Sequence, residues 1–305
     1  MGILFAILAM LFFATANVTI SRGGSRAVNS NGAFVSILIT LLLSCVIWLM
    51  VSFYSGWSTL NLVASAWFAL AGILTIFVGR VFLYSSIHNL GSIRASAVKR
   101  LNPFFSVLLG VLVLGEDITG PMLLGMVLIF SSFAVLIINS LKAQQATSPD
   151  TSVSESNFRV LLNLGYLYGP ISAFAYALGY VARKQGLILL PDAAFGSMVG
   201  SLVATLIYLV TAIFVEKYRL DVRDTFTRIN PWLFAAGVSS SFGQISYFVA
   251  LKYSAISQIA LIASMEVFVT MFLSMIVFRN REILTRGIML AAVLGTSGAL
   301  IVIFF

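Results

Sequence analysis

The 305-residue chain is 60% hydrophobic and 9% charged, against the roughly 25% charged of a soluble domain. It therefore reads as an all-α, polytopic membrane protein whose surplus apolar surface faces lipid. Eighteen Lys and Arg against ten Asp and Glu give a net charge of +8, which fits cytoplasmic loops and an intramembrane site and argues against a nucleic-acid partner. The single cysteine, Cys45, excludes an internal disulfide, and the single histidine, His88, leaves no His/Cys metal cluster. No metal or other cofactor is expected.

Apolar runs bounded by polar or turn-forming residues place ten spans at about 2–20, 32–53, 67–88, 91–114, 120–140, 158–182, 193–215, 231–253, 255–278 and 285–305. The first run contains Ala14-Thr15-Ala16, a signal-peptide-like cleavage pattern, but no Lys or Arg precedes it, so it reads as a span. Residues 142–157, which include QQATSPDTSVSESN, form the one polar low-complexity stretch. They read as a cytoplasmic linker between two five-span repeats, 1–141 and 158–305.

The two halves align. A shift of 164 places Gly79 on Gly243, Arg80 on Gln244, His88 on Lys252, Arg94 on Gln258, Asn102 on Glu266 and Phe104 on Phe268. A shift of 161 places Phe13 on Phe174 and Arg22 on Arg183. Because five is odd, the second unit enters the membrane from the opposite side, so the repeats are inverted, with a substrate cavity expected near the midplane between them. Arg22, Arg26, Lys142, Arg159, Lys217, Arg219, Arg223, Arg228, Arg279, Arg281 and Arg286 fall on one side, and Arg183, Lys184 and Lys252 on the other. By the positive-inside tendency, both termini face outward and the linker faces the cytoplasm.

Four cations lie inside predicted spans: Arg80 in span 3, and Arg94, Lys99 and Arg100 in span 4. Each costs about 2.5–3.5 kcal/mol at a helix centre, so they should face water or a partner charge rather than lipid. Arg94 is near enough to its helix end to snorkel. Ser92, Ser96, Lys99 and Pro103 make a stripe at i, i+4, i+7, i+11, with Arg100 on its flank. Pro103 lacks an N–H, so a kink or an exposed carbonyl is expected at the depth of the cations. Arg80 and Tyr84 share a face of span 3, which His88 continues toward the helix end.

Glu266 is the acidic residue deep in a span. Two roles are open to it: pairing with Lys99, Arg100 or Arg80, which the matching depth favours, or coupling transport to protons. Arg80, Lys99, Arg100 and Glu266 together give a cavity charge of about +2, which favours an anionic or zwitterionic substrate. Gln244 and Gln258 can add neutral hydrogen bonds from the second half, and Tyr176, Tyr180 and Trp67 can form an aromatic wall.

This pattern resembles the drug/metabolite transporter superfamily in its ten-helix form with two EamA-type domains. The residues that carry the resemblance are Leu101-Asn102-Pro103-Phe104-Phe105, Leu114-Gly115-Glu116 and Gly125, and in the second half Met265-Glu266-Val267-Phe268, Glu282, Gly295 and Gly298. Val267 stands where the family often has proline, and the second acidic residue comes late, after Arg279-Asn280-Arg281. The resemblance implies a basket of ten helices around an alternating-access cavity formed by spans 1, 3, 4, 6, 8 and 9. Sugar-phosphate members carry Lys and Arg on spans 4 and 9. Here the pair is on span 4 only, with Ala263-Ser264 at the matching site.

The expected protein is a secondary transporter of a small organic metabolite (amino acid, carboxylate or phosphorylated metabolite) in the cell inner membrane, monomeric or homodimeric. Its partners are that solute, the lipid bilayer, and protons or a counter-substrate. No GxxxxGK[ST] motif for ATP is present. The alternatives are a proton-coupled exporter of amino acids or drugs that uses Glu266, and an intramembrane lipid-handling enzyme. For the enzyme no catalytic constellation is evident.

Overall fold

Long apolar runs, three of them capped at their starts by Asn or Asp side chains, give an all-helical chain among the described residues. The computed structural model describes residues 1–24, 32–57, 60–90, 101–147, 164–227, 230–278 and 286–304. In chain order, α1 is Gly2–Gly24, α2 Ala33–Ser55 and α3 Leu62–Gly72. A π-helical segment, Ile73–Gly79, continues into α4, Arg80–Leu90. Then come α5 Leu101–Leu114, α6 Gly120–Thr147, α7 Leu164–Leu189, α8 Ala193–Phe214, α9 Glu216–Thr227, α10 Pro231–Tyr253, α11 Ile256–Ser264, α12 Glu266–Phe278 and α13 Arg286–Phe304.

The caps follow from residue chemistry. The Asn61 side chain accepts from the Val63 and Ala64 N–H groups at the start of α3, Asp192 accepts from Phe195 in α8, and Asn230 accepts from Trp232 and Leu233 with Pro231 at the first helical position.

Seven helical stretches among the described residues are long and apolar enough to cross a bilayer. Two more apolar stretches, Leu101–Leu114 and Gly120–Leu136, are shorter. The first falls short because the predicted fourth span begins at 91, and residues 91–100 lie outside the described ones. The predicted sixth span is helical but carries Arg183 and Lys184 within α7.

Four differences from the sequence reading have physical causes. α6 runs to Thr147, into the stretch read as linker, because Gln and Ala there are good helix formers. α7 continues past 182 to Leu189, so Arg183 is a buried helix residue and not a loop cation. The ninth span is broken at Met265, between α11 and α12, without the family's usual proline. Finally, α9 was not expected, because its charged sequence reads as loop; Tyr208 nonetheless donates a hydrogen bond to its Asp221, which is buried.

Helix packing is dense and uses small residues. A Cβ on Gly72 would lie 2.1 Å from the Gly200 carbonyl oxygen, so α3 and α8 touch backbone to backbone. Gly125 and Gly298 do the same between α6 and α13. The main pairings are α1 with α10, α6 with α13, α2 with α8, α2 with α10, α3–α4 with α7, α3 with α8, α5 with α7, α5 with α11, and α1 with α11–α12.

Candidate functional site

A cavity lies where these pairings converge. α1 contributes Phe13, Ala16 and Asn17, α4 contributes Tyr84, α5 contributes Asn102 and Pro103, and α6 contributes Phe133. From the other half of the chain come Tyr176 and Tyr180 on α7, Ser240, Gln244 and Tyr247 on α10, Ala263 and Ser264 on α11, and Glu266 and Val267 on α12.

Each polar member is placed by its helix. Asn102 sits one turn before Ser106, whose hydroxyl donates to Asn102 Oδ1 at 3.0 Å. Gln244 is 3% exposed, and among the described residues its Oε1 meets no donor and the buried Tyr247 hydroxyl no hydrogen-bond partner. The buried Tyr84 hydroxyl lies close to Ser36 and Ser240. The Tyr180 and Tyr247 rings stack at 4.2 Å between centroids and 24° between planes, and Tyr176 lies 6.0 Å from Tyr180. Glu266 opens α12 directly after the break at Met265 and is buried. The Met265 N–H donates to Ile262 and the Phe268 N–H to the Met265 carbonyl, closing a tight turn at the depth of the cavity. Irregular backbone inside a span is tolerated where it lines a cavity.

The structure thus brings Tyr84, Asn102, Pro103, Tyr176, Gln244 and Glu266 together. Arg80 is near but behind the wall: wholly buried, its Nη1 donates to the Ser36 carbonyl at 2.9 Å, to Ser36 Oγ at 3.0 Å and to Thr40 Oγ1 at 2.7 Å. Gln258 is elsewhere. Its amide donates to the Val302 carbonyl at 3.0 Å, tying α11 to α13. Trp67 is half-buried on α3 and does not line the cavity. Ser92, Arg94, Ser96, Lys99 and Arg100 lie outside the described residues, as does the backbone on which a kink before Pro103 would show.

Sequence reasoning missed Asn17, Tyr247 and, above all, Arg183. Arg183 is 2% exposed, its Nη2 donates to Thr75 Oγ1 at 2.7 Å, and its guanidinium lies 4.8 Å from the Phe248 ring centre. The repeat shift that places Arg183 on Arg22 carries no sign of its depth.

The EamA-like transporter family model matches residues 1–138 and 163–304. The chain belongs to that family. EamA-like transporters are membrane transporters of small molecules rather than enzymes, and this chain is a multi-pass member. A crystal structure titled only as that of a protein superposes with a TM-score of 0.66 at 14% identity, covering 99% of this chain and 98% of its own, a likeness of fold alone. No curated protein matches the sequence.

Proposed function

We propose that this EamA-like protein is a secondary transporter of a small organic anion or zwitterion (an amino acid, carboxylate or phosphorylated metabolite), working by alternating access in a cell inner membrane. The observation that carries this reading is the cavity itself: both halves of the chain line it, and a broken helix enters it at Glu266. Half-helix ends near the midplane are a recurrent substrate-site design.

Two inverted five-span repeats, 1–141 and 158–305, are supported by the helix pairings. Exchanging each helix of one half for its counterpart in the other turns α1–α10 into α7 against α3–α4, α2–α10 into α8–α3, and α5–α7 into α11–α12 against α1, all of which occur. The pairs α2–α8, α6–α13 and α5–α11 map onto themselves. Under the same exchange Lys99 and Arg100 correspond to Ala263 and Ser264, which line the cavity. That correspondence supports a substrate-facing role for the span 4 cations. With the buried Arg183 removed from the loop tally, Lys184 and Lys252 remain against the larger basic side, which supports termini outside and linker inside.

Uptake of a radiolabelled panel of amino acids, carboxylates and organophosphates into proteoliposomes tests the reading. Wild type should carry at least one anion or zwitterion, and Lys99→Ala and Arg100→Ala should reduce its flux. Equal anion flux in all three proteins would refute the charge argument, and no flux of any solute would refute transport.

A further inference from the structure

Two guanidiniums stand behind the tyrosine wall with their donors only partly used. Arg183 spends Nη2 on Thr75, while its Nε and Nη1 are buried without an acceptor among the described residues. Arg80 spends Nη1 on Ser36 and Thr40, while its Nε and Nη2 have no acceptor in good hydrogen-bond geometry among the described residues, the Tyr176 hydroxyl lying close by. The acceptors that these two side chains engage among the described residues, on Ser36, Thr40 and Thr75, are neutral. The two stand on one stretch of the fold: Arg183 bonds Thr75 in the π-helical segment that leads directly into Arg80, and it packs over Tyr180, whose ring adjoins Tyr176 and Tyr247. Tyr247 adds a buried hydroxyl from the wall that has no partner among the described residues.

Two like charges held near each other in a low-dielectric interior are stable only with compensation, and neutral hydroxyls supply little of it. What the arrangement offers is a set of unused N–H and O–H donors around positive charge. The free Nε and Nη2 of Arg80 share one edge of the guanidinium and can meet two oxygens of a planar or tetrahedral oxyanion side by side, whereas the free Nε and Nη1 of Arg183 lie on either side of Nη2 and offer single charge-assisted hydrogen bonds. The Arg183 guanidinium lies 4.8 Å from the Phe248 ring centre and 5.8 Å from that of Tyr180, cation–π contacts that use none of its N–H donors.

We infer that Arg80 and Arg183 form the seat for an oxyanion group of the cargo, a carboxylate or a phosphate, reached from the cavity past Tyr176 and the Tyr180–Tyr247 stack. The inference rests on the transporter reading above and adds the second-half cation that the sequence reading lacked. Each half of the chain then supplies one cation, Arg80 from α4 and Arg183 from α7. The Tyr180 and Tyr247 rings must part for the anion to reach Arg183, so that stack also limits which cargo enters.

The test is thermal unfolding of the full chain in detergent, titrated with sodium benzoate, phenyl phosphate or benzyltrimethylammonium chloride at constant ionic strength. A ligand that binds the folded state raises the midpoint by mass action. One or both anions should raise the wild-type midpoint and the cation should not; the anion that acts separates carboxylate from phosphate. Arg183→Met should weaken the apparent affinity for that anion by about tenfold or more, a change of about 1.4 kcal/mol. Arg183→Lys, which keeps the charge but loses the planar spread of donors, should weaken it by less, and serves alone if the Met variant fails to fold. Thr75→Val, which removes only the neutral acceptor, should leave it within about threefold of wild type. An Arg183→Met protein, or failing that an Arg183→Lys protein, that binds as tightly as wild type overturns the seat and leaves the transporter reading intact. So does a wild type indifferent to both anions whose proteoliposomes still accumulate another solute. Absence of uptake of every solute overturns the transporter reading as well.

Discussion

The Glu116 carboxylate caps a helix from the other half of the chain: its Oε1 accepts from the Ile256 N–H at 2.6 Å and its Oε2 from the Ser257 N–H at 3.1 Å, with the Ser257 hydroxyl as a further donor. Gly115, at φ 64°, turns the chain so that Glu116 can reach. The first N–H groups of α11 have no partner within their own helix, and the positive end of its dipole favours a carboxylate there. Glu116→Ala should therefore cost about 1–3 kcal/mol of stability, and Glu116→Gln less. Thermal unfolding in detergent reads this directly, and an unchanged midpoint for the alanine variant would refute it.

Gly72 is the tightest backbone contact between α3 and α8. In Gly72→Ala the new methyl would lie 2.1 Å from the Gly200 carbonyl oxygen and 2.4 Å from its Cα, neither of which can move as a side chain does. Overpacking of this kind costs about 1–3 kcal/mol or more. The folded yield and unfolding midpoint should both fall; a protein as stable as wild type would show that the helices separate freely here.

The Tyr208–Asp221 hydrogen bond pins α9 onto α8, with Asp221 buried and Lys217, Arg219 and Arg223 exposed on the same short helix. Tyr208→Phe leaves that carboxylate short of one donor, a loss of about 1–3 kcal/mol, felt as easier local opening of α9. Limited trypsin digestion after Lys217, Arg219 and Arg223 should be several times faster in the variant. Equal cleavage rates would mean that α9 is held by its apolar contacts alone.

How much of this was legible in the sequence can be traced residue by residue. Glu266 stands out because an acidic side chain deep in an apolar run must face a partner or water; Gln244 and Asn102 enter through their repeat matches to Arg80 and Glu266, and the structure brings all three to one cavity. Arg183 does not stand out, because a cation followed by Lys184 at the end of an apolar run looks like the start of a loop, and only the packing of α7 against the π-helical segment and α10 shows its depth. The segment Ile73–Gly79 has no sequence signature, since a π-helical turn and an α-helical one share the same apolar composition. Gln258 was drawn to the site by its alignment with Arg94, yet a repeat shift fixes position along a helix and not which neighbour an amide reaches; its amide reached Val302. The α9 helix was lost because charge alternation reads as loop until a partner surface is known.

Glu266 opens α12 at the helix break and lines the cavity. If it carries the coupling proton, Glu266→Gln should abolish flux driven by a pH gradient while counterflow exchange of the same solute continues. If it serves only to balance nearby cations, both modes should fall together. The two assays on one proteoliposome preparation separate these roles.

Cysteine accessibility shows whether the space between the halves is a wet path for the cargo. With the single native cysteine, Cys45, replaced by serine, Gln244→Cys and Asn102→Cys should react with an impermeant thiol reagent, as should Lys99→Cys. Val293→Cys, on the exposed apolar face of α13, should not. Protection of Gln244→Cys and Asn102→Cys by a transported solute would complete the account. If both stay unreactive from either side of the membrane in a protein that still transports, the path lies elsewhere and the account is wrong.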